Sequence, residues 1–508
     1  MDEKKYIDQI NSLSEDAVRM KARLRTMDTQ CELEKKVKRI KPHKFIPYCV
    51  NIFNNPPKNV LIAPHTILQV IEANCAYHKS GYDEDVTYKQ FADVINLNRR
   101  LEDENDFYLW CIHNRTELFF QFIARIQFEA QNTGCNKQYL SRYWKLFFDN
   151  NSTPKLFDKF SKQFGISVEK WFLCSICMFT FFYKSFIGNS NIKIPPRLNV
   201  NDNDISRYLD LSVYSAEEIK QIYFDARKHI PHEFHFLLRS AFMERPIVKL
   251  DDGRIVAPIP ELIFRHMGYK LRAMFEDIDI NDHCVANSFE KYTEMVLNNL
   301  SSLIKLYTNN ELETLSKPDK SCDFLLITRT ENVLIECKAV DFRVKTLTKN
   351  AIYKSNAFTK IQDAIVQIDR TLRNIKAEKI KIQELDKTKP FLKIIVTFGE
   401  MRGFNSDWLL TELLSKECLD IESSSENVNG AKPVIISIEG LEKLILYIEN
   451  SGKSLIDIYN YKQEQGYLLT GDWDVFLTNK VCELDKNKKL NFVDSVFYEV
   501  YERLGIKS

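Results

Sequence analysis

The sequence has no apolar run long enough to cross a bilayer. The longest candidate, Trp171 to Tyr183, covers 13 residues between Lys170 and Lys184, short of the ~18–20 that a span requires. A buried core helix is expected there instead. The opening MDEKKYIDQI is charged from its second residue and lacks the apolar stretch of a secretory signal, so the expectation is a soluble, cytoplasmic chain without membrane contact. An excess of charge of either sign is also missing. With a formal net charge of +1, a protein that coats nucleic acid through a generally basic surface is excluded, and any such contact must be a local patch. The twelve cysteines show no disulfide or zinc spacing and read as free thiols in a reducing compartment. Cys174 and Cys177 have no second pair and fall inside the apolar helix. His229, His232 and His235 lack the i, i+4 spacing that sets two histidines on one helical face for zinc. No GxxxxGK[ST] loop appears, so ATP coupling within the chain is not expected. Internal repeats and low-complexity tracts are absent.

What is present is length and aromatic content. At 508 residues the chain exceeds the ~250–300 at which one core stops growing, so two or three domains are expected. Residues 1–187 read as an α-helical region. Apolar residues recur at i, i+3 and i+4 in Glu117 to Gln131 and Lys137 to Asn150. The basic cluster Lys35, Lys36, Lys38, Arg39 and Lys41, stopped by Pro42, is a candidate phosphate-gripping patch. Residues 188–280 read as a linker, GNSNIKIPPRLNVNDND, then a helix over Ser215 to Arg239 and a hairpin turning at Asp251-Asp252-Gly253. From residue 281 to 450 helices and strands alternate, which predicts a mixed sheet flanked by helices. Residues 451–508 form a C-terminal extension without a clear pattern. The fold class expected is α+β and multidomain.

Chemistry concentrates in that third segment. Asp323 stands thirteen positions before Glu336, and Lys338 follows two later. An acid two before a lysine occurs five times in the sequence, but only Glu336-Cys337-Lys338 closes an apolar, β-like run, NVLIECKAV. Taking Thr330 and Glu331 as the turn of a hairpin, cross-strand partners sum to 661, and Asp323 faces Lys338. Period-two alternation then puts Asp323, Glu336 and Lys338 on one face, with the two carboxylates as diagonal neighbours ~7–8 Å apart at the backbone. Phe324, Leu326, Val333 and Ile335 fall on the opposite face, against a helix. Two carboxylates at that separation suit a hard divalent cation such as Mg2+, with Mn2+ as a substitute and the Cys337 carbonyl as a further ligand. The ion would stabilise charge on a pentavalent phosphate. Lys338 would orient the attacking water, stabilise transition-state charge, or act as a base with a depressed pKa.

A helix bearing Phe289-Glu290, then Asp323, then Ile335-Glu336-Cys337-Lys338 across a hairpin, then a helix bearing Gln367, resembles the PD-(D/E)XK or restriction-endonuclease-like superfamily. The resemblance covers roughly residues 284–450. It implies an α/β nuclease core following the α-helical N-terminal region. It also implies metal-dependent hydrolysis of nucleic acid, DNA ahead of RNA, with Glu290 assisting the metal and Gln367 on the helix after the lysine strand. Cys322 replaces the proline that names the motif, and Pro318-Asp319 lies four residues earlier. Asp319 falls in a loop, so Asp323 is preferred. Proteins of this layout that resemble the superfamily include bacterial antiviral defence and restriction factors, which makes the helical region a sensor or partner-binding candidate. A non-catalytic nuclease-fold binding module and an RNase of the same fold are the alternatives.

Overall fold

The computed structural model describes the chain from Glu15 to Glu502, except for residues 59–61, 112–136, 149–153, 190–191, 230–234, 236–237, 239, 280–282, 317–319, 342–353, 402, 415–431, 485–497 and 499–501. Within these residues the protein is α+β, with two mixed sheets. The first helices are α1 (Glu15–Val37), α2 (Pro42–Asn54), α3 (Pro64–Tyr77), α4 (Tyr88–Cys111), α5 (Lys137–Phe147), α6 (Pro154–Phe164) and α7 (Val168–Ser185). Then come β1 (Ile187–Asn189), α8 (Asp202–Ser212), β2 (Val213–Ser215), α9 (Ala216–Arg227), β3 (Ile247–Lys249), β4 (Arg254–Val256) and α10 (Glu261–Ile278). The remainder holds α11 (Cys284–Leu297), β5 (Leu303–Thr308), α12 (Asn309–Ser316), β6 (Phe324–Thr328), β7 (Asn332–Lys338) and α13 (Asn356–Lys376). It ends with β8 (Phe391–Thr397), α14 (Asp407–Leu414), β9 (Val434–Ser437), α15 (Ile438–Ser451), α16 (Leu455–Thr470) and α17 (Trp473–Cys482).

The apolar run from Trp171 is the core helix α7. Ser167 caps it by accepting from the Lys170 N–H at 3.3 Å, and Trp171, Phe172 and Phe182 are fully buried. No single helix among the described residues is long and apolar enough to cross a membrane. The helix expected over Glu117 to Gln131 lies outside the described residues. The Asn-Asp run of the linker has a local purpose: Asn201 and Asp204 form a reciprocal capping box that starts α8. The helix expected over Ser215 to Arg239 begins with a similar box, Ser215 with Glu218, and its helical stretch ends at Arg227. The Asp251–Gly253 hairpin forms, with Val248 opposite Val256. It belongs to a four-stranded sheet of order β1-β4-β3-β2.

The second sheet has the order β5-β6-β7-β8-β9, antiparallel from β5 to β7 and parallel from β7 to β9. Its inner strands read NVLIECK and FLKIIVT, near-continuous apolar runs of the kind that strands covered on both faces require. Phe324, Leu326, Val333, Ile335, Ile394 and Ile436 face one core, shared with α5, α7, α10, α11 and α15. Leu325, Ile327, Leu334, Ile395 and Ile435 face another, built with α13 and α14. The first core is continuous from Tyr139 to Leu477, so residues of the helical region and of the sheet are packed together. A third core joins α1 to α4 with α9 and the small sheet. At one contact no side chain fits: a Cβ on Gly268 of α10 would lie 1.9–2.3 Å from ring atoms of Tyr143 on α5.

In the segment of the second sheet, one helix was read too long from the sequence. The helix expected over Asn287 to Lys305 stops at Leu297, and Leu303–Thr308 is the edge strand β5, paired antiparallel with β6. Asn298 caps the helix, its N–H bonding to the Glu294 carbonyl. The apolar residues beyond fall in helical phase with those before, which hides the change of element.

Candidate active site at the β6–β7 hairpin

The hairpin turn is Arg329-Thr330, one residue earlier than expected. Thr328 and Glu331 close it, with Thr328 N–H donating to Glu331 O at 3.0 Å and Glu331 N–H to Thr328 Oγ1 at 3.0 Å. Glu331 is therefore buried, while Arg329 and Thr330 are exposed. Partners sum to 659, as in Phe324 opposite Ile335, so the next pair outward is Asp323 with Glu336, not Asp323 with Lys338. A shift of two keeps every side chain on its expected face. The carboxylates become direct neighbours instead of diagonal ones. The face they share is not open along its length, because Leu325, Ile327 and Leu334 on it are buried under α13. Only the strand end carries the polar set.

Two backbone contacts lock that end. The Cys337 N–H donates to Asp323 Oδ2 at 2.6 Å, and the Asp323 N–H donates to Glu336 Oε2 at 3.3 Å. Lys338 Nζ donates to Glu336 Oε1 at 2.5 Å. Asp323 and Glu336 are 6% and 1% exposed, which makes solvation of their charges poor. Burial, then the charge of Asp323, pushes Glu336 up to about 8. Burial, then the charge of Asp323, pushes Glu290 up to about 7. Asp323 is itself raised by burial, against the stabilising Cys337 N–H, Lys338 and Asn309. Burial lowers Lys338, but the charge and hydrogen bond of Glu336 outweigh it and the ammonium is held above its ordinary value. The depressed value that a base role needs is expected only beside a bound cation.

The other expected residues are placed as follows. Glu290 is half-buried on α11, within electrostatic range of Asp323 and Lys338. The Cys337 side chain is buried in the core on the opposite face, so only its backbone belongs to the site. Gln367 on α13 donates to the Ser321 carbonyl at 2.7 Å. Thr371, one turn on, accepts from the Cys322 N–H at 2.8 Å. Both brace the segment that leads into Asp323. Asp319 lies outside the described residues. In the basic cluster, Lys36 pairs with Asp93 at 2.8 Å, Arg39 with Glu84 at 3.6 Å and Lys41 with Asp83 at 3.4 Å. Acidic neighbours thus offset much of its charge. Cys174 and Cys177 lie in α7, the first buried and the second half-buried. His232 lies outside the described residues. Two site neighbours escaped sequence reasoning: Asn309, which helps to stabilise the Asp323 carboxylate, and Asp363, whose charge acts on Lys338. Asn309 follows a strand that was read as helix, and Asp363 is the exposed acid of the two on α13, with no spacing motif that ties it to the lysine strand.

The set offers only oxygen donors and one ammonium. Burial raises the proton affinity of all three carboxyl groups, Asp323 adds to it at Glu290 and Glu336, and a hard divalent cation would add positive charge to that of Lys338. The donor chemistry fits Mg2+. Among the described residues, no group of three or more His, Cys, Asp or Glu side chains is placed so as to hold a metal ion. A scan of the sequence against known protein families finds no match. No curated protein matches it at a significant level.

Proposed function

We propose that the segment from α11 to α15 is the core of a metal-dependent nuclease of the PD-(D/E)XK type, hydrolysing nucleic-acid phosphodiester bonds with DNA the favoured polymer. The observation that carries this reading is the pairing of Asp323 with Glu336 at the end of an otherwise apolar hairpin, with Lys338 against Glu336. Three ionisable groups gathered at the end of a buried strand are costly to fold. A catalytic role explains their retention where packing does not. The element order α11, β6–β7, α13 and β8 lends further support. Asp323 and Glu336, with Glu290 beside them, would hold Mg2+, which when bound supplies Lewis acidity and positive charge at the scissile phosphate. Lys338, 2.5 Å from Glu336, contributes positive charge towards the transition-state oxygens. Gln367 and Thr371 fix the backbone that presents Asp323.

One observation favours a second reading. Glu336 is committed to Lys338, which leaves one carboxylate fewer for a metal, and a nuclease fold that binds nucleic acid without cutting it needs none. Incubating the purified chain with plasmid, single-stranded DNA and total RNA, in Mg2+, Mn2+ or EDTA, tests the first reading and distinguishes DNase from RNase. Metal-dependent cutting supports it. Retention of every substrate intact, together with binding of one, supports the second reading.

A further inference from the structure

The strand that carries Glu336 and Lys338 does not end freely. At its exit the Val340 N–H folds back on the Lys338 carbonyl at 2.6 Å, and the Val340 carbonyl accepts from Phe398 and Gly399 N–H at 3.0 and 3.2 Å. The next contact comes from outside the sheet. Arg272, on α10, donates from Nη2 to the Ala339 carbonyl at 2.7 Å. Its Nη1 lies 2.9 Å from Asp341 Oδ1, and Nη2 also engages Glu276. The guanidinium lies 4.7 Å over the Phe398 ring. The Arg272 side chain is 3% exposed and that of Asp341 8%. There is no slack around them: a Cβ on Gly399 would stand 2.7 Å from Asp341 Cβ and 3.1 Å from Tyr269, one turn before Arg272.

We propose that Arg272 is a positioning residue that sets where the Glu336–Lys338 strand ends, so that the helical layer fixes the geometry of the active strand. Three features argue for it over simple packing. A buried arginine costs desolvation that an apolar residue of similar volume avoids. Its Nη2 bonds a backbone carbonyl and the Glu276 carboxylate while Nη1 pairs with Asp341, a spread of contacts that a lysine does not match as well. The carbonyl it holds belongs to the residue directly after Lys338. α10 precedes the proposed nuclease core in sequence, so that core depends on a residue outside itself. What is positioned rests on the nuclease reading; the clamp on the strand does not.

The test uses the full chain with Arg272→Met, Arg272→Lys and Asp341→Asn, and Asp323→Ala as the inactive reference. Amide hydrogen exchange over 336–341 is read beside kcat and KM for Mg2+-dependent cleavage. Arg272→Met is expected to speed exchange over 336–341 while 391–397 and 434–437 stay as in wild type. Its kcat should fall about 10–100-fold, the scale of a misplaced reacting group, with KM within about threefold. Arg272→Lys should recover part of both. Unchanged exchange over 336–341 overturns the proposal, as does an equal rise across the whole sheet. Should Arg272→Met fail to fold, Arg272→Lys and Asp341→Asn carry the same comparison. If wild type cuts no better than Asp323→Ala, the nuclease reading falls, and the exchange data alone decide whether Arg272 fixes the strand end.

Discussion

Asp323 and Glu336 each hold the other's strand: the carboxylate of Asp323 accepts the N–H of Cys337, and the carboxylate of Glu336 accepts the N–H of Asp323. Each acid therefore does two things. It supplies an oxygen to the site, and it closes the last rung of the hairpin where regular pairing has stopped.

The raised proton affinity of Glu336 has a sign that can be checked. Its folded-state pKa lies near 8 against an ordinary 4.5, so the folded chain retains a proton that the unfolded chain releases. Stability from this group is complete below about pH 4.5 and is lost as pH rises through about 8. In EDTA, Glu336→Gln is expected to melt roughly 2–5 °C above wild type at pH 8.5, with the difference gone near pH 4.5. Thermal unfolding at the two pH values checks it, and a variant that melts lower at pH 8.5 contradicts it.

Cation binding should be linked to protons. Below about pH 7, Glu290 and Glu336 are largely protonated, and an ion must displace those protons to use the oxygens. Mg2+ affinity should rise with pH, by up to roughly tenfold per unit for each proton displaced. Calorimetry in two buffers of different ionisation enthalpy reads the protons released. A pH-independent affinity between pH 6 and 8 would rule out these carboxylates as ligands.

Arg142 of α5 forks onto Glu442 at 2.8 and 2.7 Å and reaches Glu439 at 3.3 Å. Tyr292 of α11 donates to the same Glu442 at 2.7 Å. Arg142 and Glu442 are both 3% exposed in their side chains. Arg142→Ala leaves a buried carboxylate without its partner and is expected to cost about 3–5 kcal/mol. Urea unfolding measures it. A loss below about 1 kcal/mol, the scale of an exposed pair, would show that the network does not join the two regions.

The contact of α10 with α5 leaves no room at Gly268. Gly268→Ala forces its methyl into the Tyr143 ring and is expected to destabilise by about 1–3 kcal/mol or more, read in the same unfolding assay. Tyr143→Leu in the Gly268→Ala background should recover part of the loss.

The strands of the second sheet were legible because FLLIT, NVLIECK and FLKIIVT are apolar almost throughout, and burial on two faces demands that. The helices after Ser355 and Ser437 were legible from their apolar spacing, whereas the Asn201–Asp204 box that starts α8 read as part of a polar linker. β5 was not, since an edge strand with no buried residue over Leu303–Thr308 lacks the alternation of a half-buried strand and keeps the apolar spacing of a fraying helix. The hairpin register was off by two because the turn is set by a side chain, the Thr328 hydroxyl, which a count of turn residues does not weigh. The shared face of Asp323, Glu336 and Lys338 is unaffected by that error because it depends only on parity. Arg272 was out of reach of sequence: nothing local links it to a strand end 67 residues away.

The central claim meets its most direct test in cleavage of the substrate that wild type prefers, in Mg2+, beside Asp323→Ala and Lys338→Ala, with folding of each verified by thermal unfolding. Loss of at least about 100-fold in rate for both variants, with both still folded, is the result expected from residues that act on the reacting phosphate. Folded variants that cut as fast as wild type would contradict it.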